Sequence, residues 1–344
     1  MAEPLPTPIG KYSIGSVELE ITDPSRTKTL ADDEFGRKLF IKIWYPATQP
    51  SDDDQCERLW QQLRNDPTLP APMRLAVKWI NRYDTHTFPK LKMHPDITKP
   101  KIVIYNHGYI SFASDSTSLS EDLAGNGHLV IGVQHVDQFP EFKALESRLS
   151  KEESEKSKSL AKTLNAAKGK ARQELILAFY RSAKNTNAVA HARALDSQFV
   201  LNNLDGILNN IPRFSPNDNP DPQIVSIGLS MGGAVSMEFA KLDQRVTAAI
   251  NIDGGIFGKL LNTDLKVPCL MIYSDDNRDI NQLALATLKE TSSQAIDGSK
   301  HLNFHDIALI FPRLLKALGH IGSTAARQII EARNRVINDF INGF

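Results

Sequence analysis

Cysteine is nearly absent from this chain. Two thiols, Cys56 and Cys269, serve 344 residues. They are too few and too far apart for the disulfide framework that holds small secreted domains together. Cys269 falls within an apolar, strand-like run, so a buried free thiol is expected there. Such usage is compatible with a reducing compartment. Neither sign of charge is in excess: 40 Lys and Arg stand against 40 Asp and Glu, which argues against nucleic acid as the main partner. No apolar run approaches the ~20 residues of a bilayer span, so no transmembrane segment is expected. The opening Met1-Ala2-Glu3-Pro4-Leu5-Pro6 has an acid and two prolines where a secretory signal needs a basic and then an apolar segment. The expectation is a cytoplasmic protein, or one exported by a route that leaves no visible signal. What is left, 41% hydrophobic and 23% charged, is ordinary globular composition with enough apolar residues for a large core.

Short apolar runs alternate with longer helix-compatible stretches. Strand-like runs occupy residues 39–45, 101–105, 128–133, 224–227, 246–252, 267–273 and 292–296. Near-continuous apolar strands separated by helices imply an α/β chain whose mostly parallel central sheet is flanked by helices on both faces. Ligands in such sheets bind at the carboxyl ends of the strands. The reading is one domain over residues 1–344 with two insertions or cap segments, 51–98 and 138–186. The first carries acids, prolines and a helical patch over 73–80. The second is rich in Lys and Arg and ends in Leu175-Ile176-Leu177-Ala178-Phe179-Tyr180. It reads either as a cap or a surface that approaches anionic membrane, or as a solvated helical excursion. A helix is expected over 323–340, capped by Ser323, with Ile329, Ile330, Ile337 and Ile341 on one face.

The chemistry concentrates at Gly228-Leu229-Ser230-Met231-Gly232-Gly233-Ala234. A β-branched run, Gly-x-Ser-x-Gly and small residues opening a helix form the nucleophile elbow, a tight turn that exposes the Ser230 hydroxyl. The bare pattern is expected about 0.07 times in a chain this long, and its strand and helix context makes chance less probable still. A serine nucleophile needs a base, and in this fold the order is Ser, then Asp or Glu, then His. Of nine histidines, His301, His305 and His320 follow Ser230. His301 lies in the loop after the last short strand, where it can reach back over the sheet, and His305 is the reserve. A metal reading of His301, His305 and Asp306 lacks further ligands, and no cofactor or metal is expected. The acid must orient the histidine. Three aspartates between Ser230 and His301 sit at strand ends, Asp253, Asp275 and Asp276, and spacing alone favours the last two. The oxyanion hole needs two backbone N–H groups. Met231 supplies one, and Tyr109, in the His107-Gly108-Tyr109 loop after the strand at 101–105, supplies the other. His107 precedes Ser230 and reads as a loop histidine that fixes the turn.

Five segments recur together in order: Asn106-His107-Gly108; Gly132-Val133-Gln134-His135-Val136-Asp137; Gly228-Leu229-Ser230-Met231-Gly232-Gly233; Asn251-Ile252-Asp253-Gly254; and Gly298-Ser299-Lys300-His301-Leu302-Asn303-Phe304. With Trp44-Tyr45-Pro46 they resemble the plasma-type platelet-activating factor acetylhydrolase family of α/β-hydrolases, over about residues 37–310. The resemblance implies the α/β-hydrolase fold and moves the acid from Asp275 or Asp276 to Asp253, on the strand after the elbow. It implies a serine hydrolase that cleaves carboxylic esters through an acyl-enzyme. Its substrates would be phospholipids with a short or oxidised sn-2 chain, with possible peripheral contact with a membrane. Where the family carries larger apolar residues after the acid, this chain has Gly254-Gly255. Other readings share these residues: a general carboxylesterase for small soluble esters, and a lipid- or protein-binding module on an inactive hydrolase scaffold. A dienelactone-hydrolase-like enzyme fits less well, because its nucleophile is usually cysteine.

Overall fold

The computed structural model describes residues 4–64, 71–136, 159, 163, 167–261, 265–278, 288 and 291–343. Nine strands form one sheet: β1 (Ser13–Thr27), β2 (Phe35–Ala47), β3 (Thr87–Pro89), β4 (Ile102–Asn106), β5 (Leu129–Gln134), β6 (Ile224–Leu229), β7 (Val246–Ile252), β8 (Cys269–Tyr273) and β9 (Thr291–Ala295). Their order is β3-β1-β2-β5-β4-β6-β7-β8-β9. The run from β5 to β9 is parallel throughout, and β2 joins it antiparallel through β5. The helices are α1 (Ala71–Ile80), α2 (Thr117–Gly125), α3 (Gly169–Ser182), α4 (Lys184–Asn202), α5 (Leu204–Leu208), α6 (Met231–Leu242), α7 (Ile307–Ile310), α8 (Pro312–Ala317) and α9 (Ala326–Asn342). This is an α/β-hydrolase sheet. No helix among the described residues is long and apolar enough to cross a membrane.

Period-two alternation splits the core into two layers. Ile102 and Ile104 of β4 point to one face, where Ala190 and Ala194 of α4 and Val235 and Phe239 of α6 close over them. Val103 and Tyr105 point to the other, under Leu119 and Leu123 of α2 and Ile329, Ile337 and Ile341 of α9. Each of the seven expected strand runs is a strand. Two strands, β1 and β3, were not expected. In β1, Val17, Leu19 and Ile21 face Ile43, Ile41 and Leu39 of β2, alternating with Glu18 and Glu20. That alternation is the signal of a half-buried strand, and it was present in the sequence.

The segment 51–98 contains α1 and returns to the sheet as β3, parallel to β1. Of the segment 138–186, residues 138–158 lie outside the described residues. Its apolar end belongs to α3, whose Ile176 and Tyr180 are buried. Both cysteines are free thiols, Cys269 buried and Cys56 partly so. Ser323 does not cap the last described helix. Thr324 instead donates its N–H to Gly298 O at 3.1 Å and its hydroxyl to Asp297 O at 3.2 Å. That ties residues 322–324 to the loop before His301 and delays the helix to Ala326, behind Ala325.

Burial also sets a pH response. It pushes His128 and His135 down to about 4, against an ordinary value near 6.5. Between those values the unfolded chain binds more protons than the folded one, so stability falls as pH drops from about 6.5 through about 4. The expected result is a urea-unfolding midpoint that declines through that window, with His128→Gln flattening part of the decline. A wild-type midpoint that is flat across the window contradicts it.

Candidate active site

The elbow is built by close approach. A Cβ on Gly232 would lie 1.9 Å from Asn106 O, and one on Gly228 would lie 2.2 Å from the Gly232 carbonyl carbon. Only glycine lets β6, α6 and the end of β4 meet this closely. Ser230, between them, has φ 59° and ψ −119°, a strained conformation for a residue with a side chain. It is held there by its N–H, which donates to Ile252 O of β7 at 2.8 Å.

From this turn the Ser230 Oγ faces His301 Nε2 at 3.0 Å, and His301 Nδ1 faces Asp253 Oδ2 at 2.6 Å. Asp253 ends β7 at φ 54°, and its side chain is wholly buried while that of His301 is 39% exposed. Three more donors converge on the carboxylate: Ser274 N–H at 2.7 Å, the Ser274 hydroxyl at 2.9 Å and Asn277 Nδ2 at 2.7 Å. A buried carboxylate supplied with this many hydrogen bonds is held in one orientation.

His301 begins a 3₁₀ turn, His301–Phe304. The turn is clamped from two sides. Asn303 Oδ1 accepts the N–H groups of Lys300 at 2.8 Å and Gly322 at 2.7 Å. Arg333 of α9, wholly buried, donates from Nη1 to Phe304 O and from Nη2 to Ser118 Oγ at 3.0 Å. Asp306 sits beside this arginine, bonded to the N–H and hydroxyl of Ser118. Burial raises the Asp306 carboxyl to about 6 although Arg333 draws it down.

The loop leaving β4 passes directly over the elbow. A Cβ on Gly108 would lie 3.6 Å from Ser230 Cβ, so the Gly108–Tyr109 peptide borders the space in front of the hydroxyl. Met231 is the first residue of α6, and the N–H groups of a first helical turn have no partner within the helix.

With this geometry in place, the similarity to known proteins is informative. A family model described as "Platelet-activating factor acetylhydrolase, isoform II" matches residues 2–343. The chain belongs to this family. Two relatives named platelet-activating factor acetylhydrolase are similar to it. The one from Cavia porcellus is 24% identical over 362 residues, covering 95% of this chain and 75% of the relative. The one from Bos taurus is 23% identical over 344 residues, covering 94% and 73%. A solved ferulic acid esterase from Streptomyces cinnamoneus superposes with a TM-score of 0.71 over 98% of this chain and 91% of that one, at 21% identity, which is a likeness of fold. Family membership makes this protein a carboxylic ester hydrolase of the platelet-activating factor acetylhydrolase type.

The remaining sequence candidates lie elsewhere. Asp275, on the strand end that spacing favoured, pairs with Arg278 at 2.9 Å and accepts the Gly298 N–H at 2.8 Å. It fastens the loop before His301, and Asp276 is exposed. The physical reason is strand order: β7 lies next to β6, and β8 is one strand further out. The reserve, His305, has partners other than Ser230. Its Nε2 lies 3.3 Å from Ser111 Oγ and 3.7 Å from Asp115, and its ring packs edge-on to Trp60. His320 is exposed. Among the described residues no three His, Cys, Asp or Glu side chains converge on a metal-sized site. Sequence reading missed Ser274 and Asn277. The available signal was that a buried acid needs donors, and both lie within three residues of Asp275 and Asp276.

Proposed function

We propose that Ser230 is the nucleophile, His301 the general base and Asp253 the orienting acid of an acyl-enzyme mechanism. The observation that carries this reading is the continuous Ser230–His301–Asp253 contact at 3.0 and 2.6 Å. Asp253 accepts a hydrogen bond from Nδ1–H, which leaves the Nε2 lone pair facing the serine hydroxyl. His301 takes the Ser230 proton as Oγ attacks the ester carbonyl. The Tyr109 and Met231 N–H groups receive the developing oxyanion, each donor contributing about 2.7–4 kcal/mol in comparable sites. The protonated His301 then gives its proton to the departing alcohol. Water, deprotonated by the same histidine, cleaves the acyl-enzyme.

The substrate class we infer is a phospholipid with a short or oxidised sn-2 acyl chain. Family membership supports it, as do the printed names of the two mammalian relatives. A surface feature supports lipid contact. On α1, Leu75 is 71% exposed and Trp79 37%, and around α8 Leu314 is 56% and Leu318 60% exposed. The Trp79 ring stacks on Phe311, the residue before α8, at 5.2 Å. Exposed apolar side chains grouped in this way are the usual mark of a surface that meets a membrane or partner. Of the basic segment 138–186, which the sequence offered for this role, residues 138–158, 160–162 and 164–166 lie outside the described residues.

Two assays test the reading together. In an acyl-length series of p-nitrophenyl esters and sn-2 phospholipids, short-chain phospholipids should be turned over. A Leu75→Ser/Leu318→Ser variant should lose about tenfold or more in vesicle partitioning, by the lost burial of two leucines, and keep wild-type turnover of p-nitrophenyl acetate. Efficient cleavage of soluble esters with no activity on any phospholipid would make the enzyme a general carboxylesterase.

A further inference from the structure

The loop that carries Tyr109 is held from behind by a residue with no part in the mechanism so far. Arg193, wholly buried on α4, donates from Nη1 to His107 O at 3.4 Å and Gly108 O at 3.3 Å. Its guanidinium lies 6.0 Å from the centre of the Tyr109 ring. Gly108 O also accepts from His107 Nδ1 at 2.7 Å. The other ring nitrogen, Nε2, accepts the His135 N–H at 3.1 Å, so the single proton of the neutral imidazole sits on Nδ1. Burial, reinforced by Arg193, keeps this histidine neutral, its pKa well below the usual value.

In a trans peptide the C=O and N–H of one unit point in opposite directions. The Gly108 oxygen and the Tyr109 N–H belong to the same unit. Two buried donors draw that oxygen inward, so the N–H is turned the other way. The next residue, Ile110, has φ 54°, a backbone state that a β-branched residue adopts only when its surroundings enforce it. Arg193 is itself on a fixed base. One turn along α4, Asp196 accepts from Arg37 Nε at 2.6 Å and Nη2 at 2.9 Å and lies 2.9 Å from His135 Nδ1, which ties the helix to β2 and to the residue after β5.

We propose that Arg193 is the positioning residue of the oxyanion hole. It clamps the His107 and Gly108 carbonyls so that the Tyr109 N–H is aimed at the carbonyl oxygen of an ester on Ser230. Its buried positive charge adds to the potential that a developing oxyanion meets. The inference rests on the Ser230 mechanism proposed above.

The test is Arg193→Met beside Arg193→Lys. In the methionine variant kcat for p-nitrophenyl acetate should fall about 10- to 100-fold, a fraction of what losing a whole donor costs, with KM within about twofold. An alkyl trifluoromethyl ketone, which adds to the serine as a tetrahedral oxyanion, should lose affinity by the same factor as kcat. Lysine, which keeps the charge and a donor, should restore most of both. A residue that only filled the core would not make ketone affinity track kcat or let lysine rescue it. If Arg193→Met does not fold, His107→Gln removes the Nδ1 donor and keeps an acceptor for the His135 N–H, and the same paired losses are expected at about three- to tenfold. Unchanged ketone affinity, or a loss confined to KM, overturns the proposal. Ser230→Ala run in parallel separates the two failures. A wild-type enzyme without esterase activity, or one matched by Ser230→Ala, refutes the mechanism itself, whereas an active wild type matched by the Arg193 variants refutes only the clamp.

Discussion

Ser230→Ala should lower kcat by several powers of ten and leave the fold in place. The size follows from the mechanism: with no hydroxyl there is no acyl-enzyme, and only binding and the oxyanion donors remain. The fold should survive because the elbow is set by backbone. The Ser230 N–H bond to Ile252 O and the contacts of Gly228 and Gly232 with the end of β4 do not use the hydroxyl. Alanine must still accept the positive φ of 59°, a strain that serine already bears. The measurement is turnover of p-nitrophenyl acetate together with labelling by a fluorophosphonate. Wild type should label stoichiometrically and the variant not at all. A wild-type protein that neither labels nor hydrolyses would fit a binding module on an inactive scaffold.

Asp253→Asn should cost about 10⁴-fold in kcat, because an asparagine can offer its amide N–H toward Nδ1 and leave the imidazole in the wrong tautomer. The surrounding donors sharpen this expectation. Ser274 and Asn277 already point N–H and O–H groups at residue 253. The introduced amide nitrogen would meet donors on one side or His301 on the other. Asp275→Asn and Asp276→Asn serve as comparisons. The first should lose far less, through the loop it ties to Gly298, and the second almost nothing, since it is exposed. An Asp275 variant as crippled as Asp253→Asn would reassign the acid.

Much of this architecture is legible in the sequence because its strands are short and buried on both faces. Residues 246–252 read as a strand to the residue, since Val, Ala and Ile dominate with only Thr247 and Asn251 among them. The hairpin strand β1 is less legible because its signal is alternation with Glu18 and Glu20 rather than an unbroken apolar run. At the site, Ser230 and His301 stand out because the elbow and the order of residues in the fold restrict the choice. The acid does not, since three aspartates end neighbouring strands, and which one meets the histidine depends on strand order across the sheet. Arg193 was out of reach altogether. Nothing in Ala192-Arg193-Ala194 separates an arginine that will be buried beneath a loop from one that faces solvent. Its partners are backbone carbonyls 85 and 86 residues away along the chain.

The Arg333 contact with the histidine's turn bears on the order in which the protein is made. A nascent chain that has emerged as far as residue 310 already contains the serine, the aspartate and the histidine. It lacks the arginine that holds Phe304 O and joins that turn to Ser118 of α2. On the mechanism proposed above, hydrolytic competence is therefore expected not to arrive with the elbow but only once α9 has left the ribosome and docked.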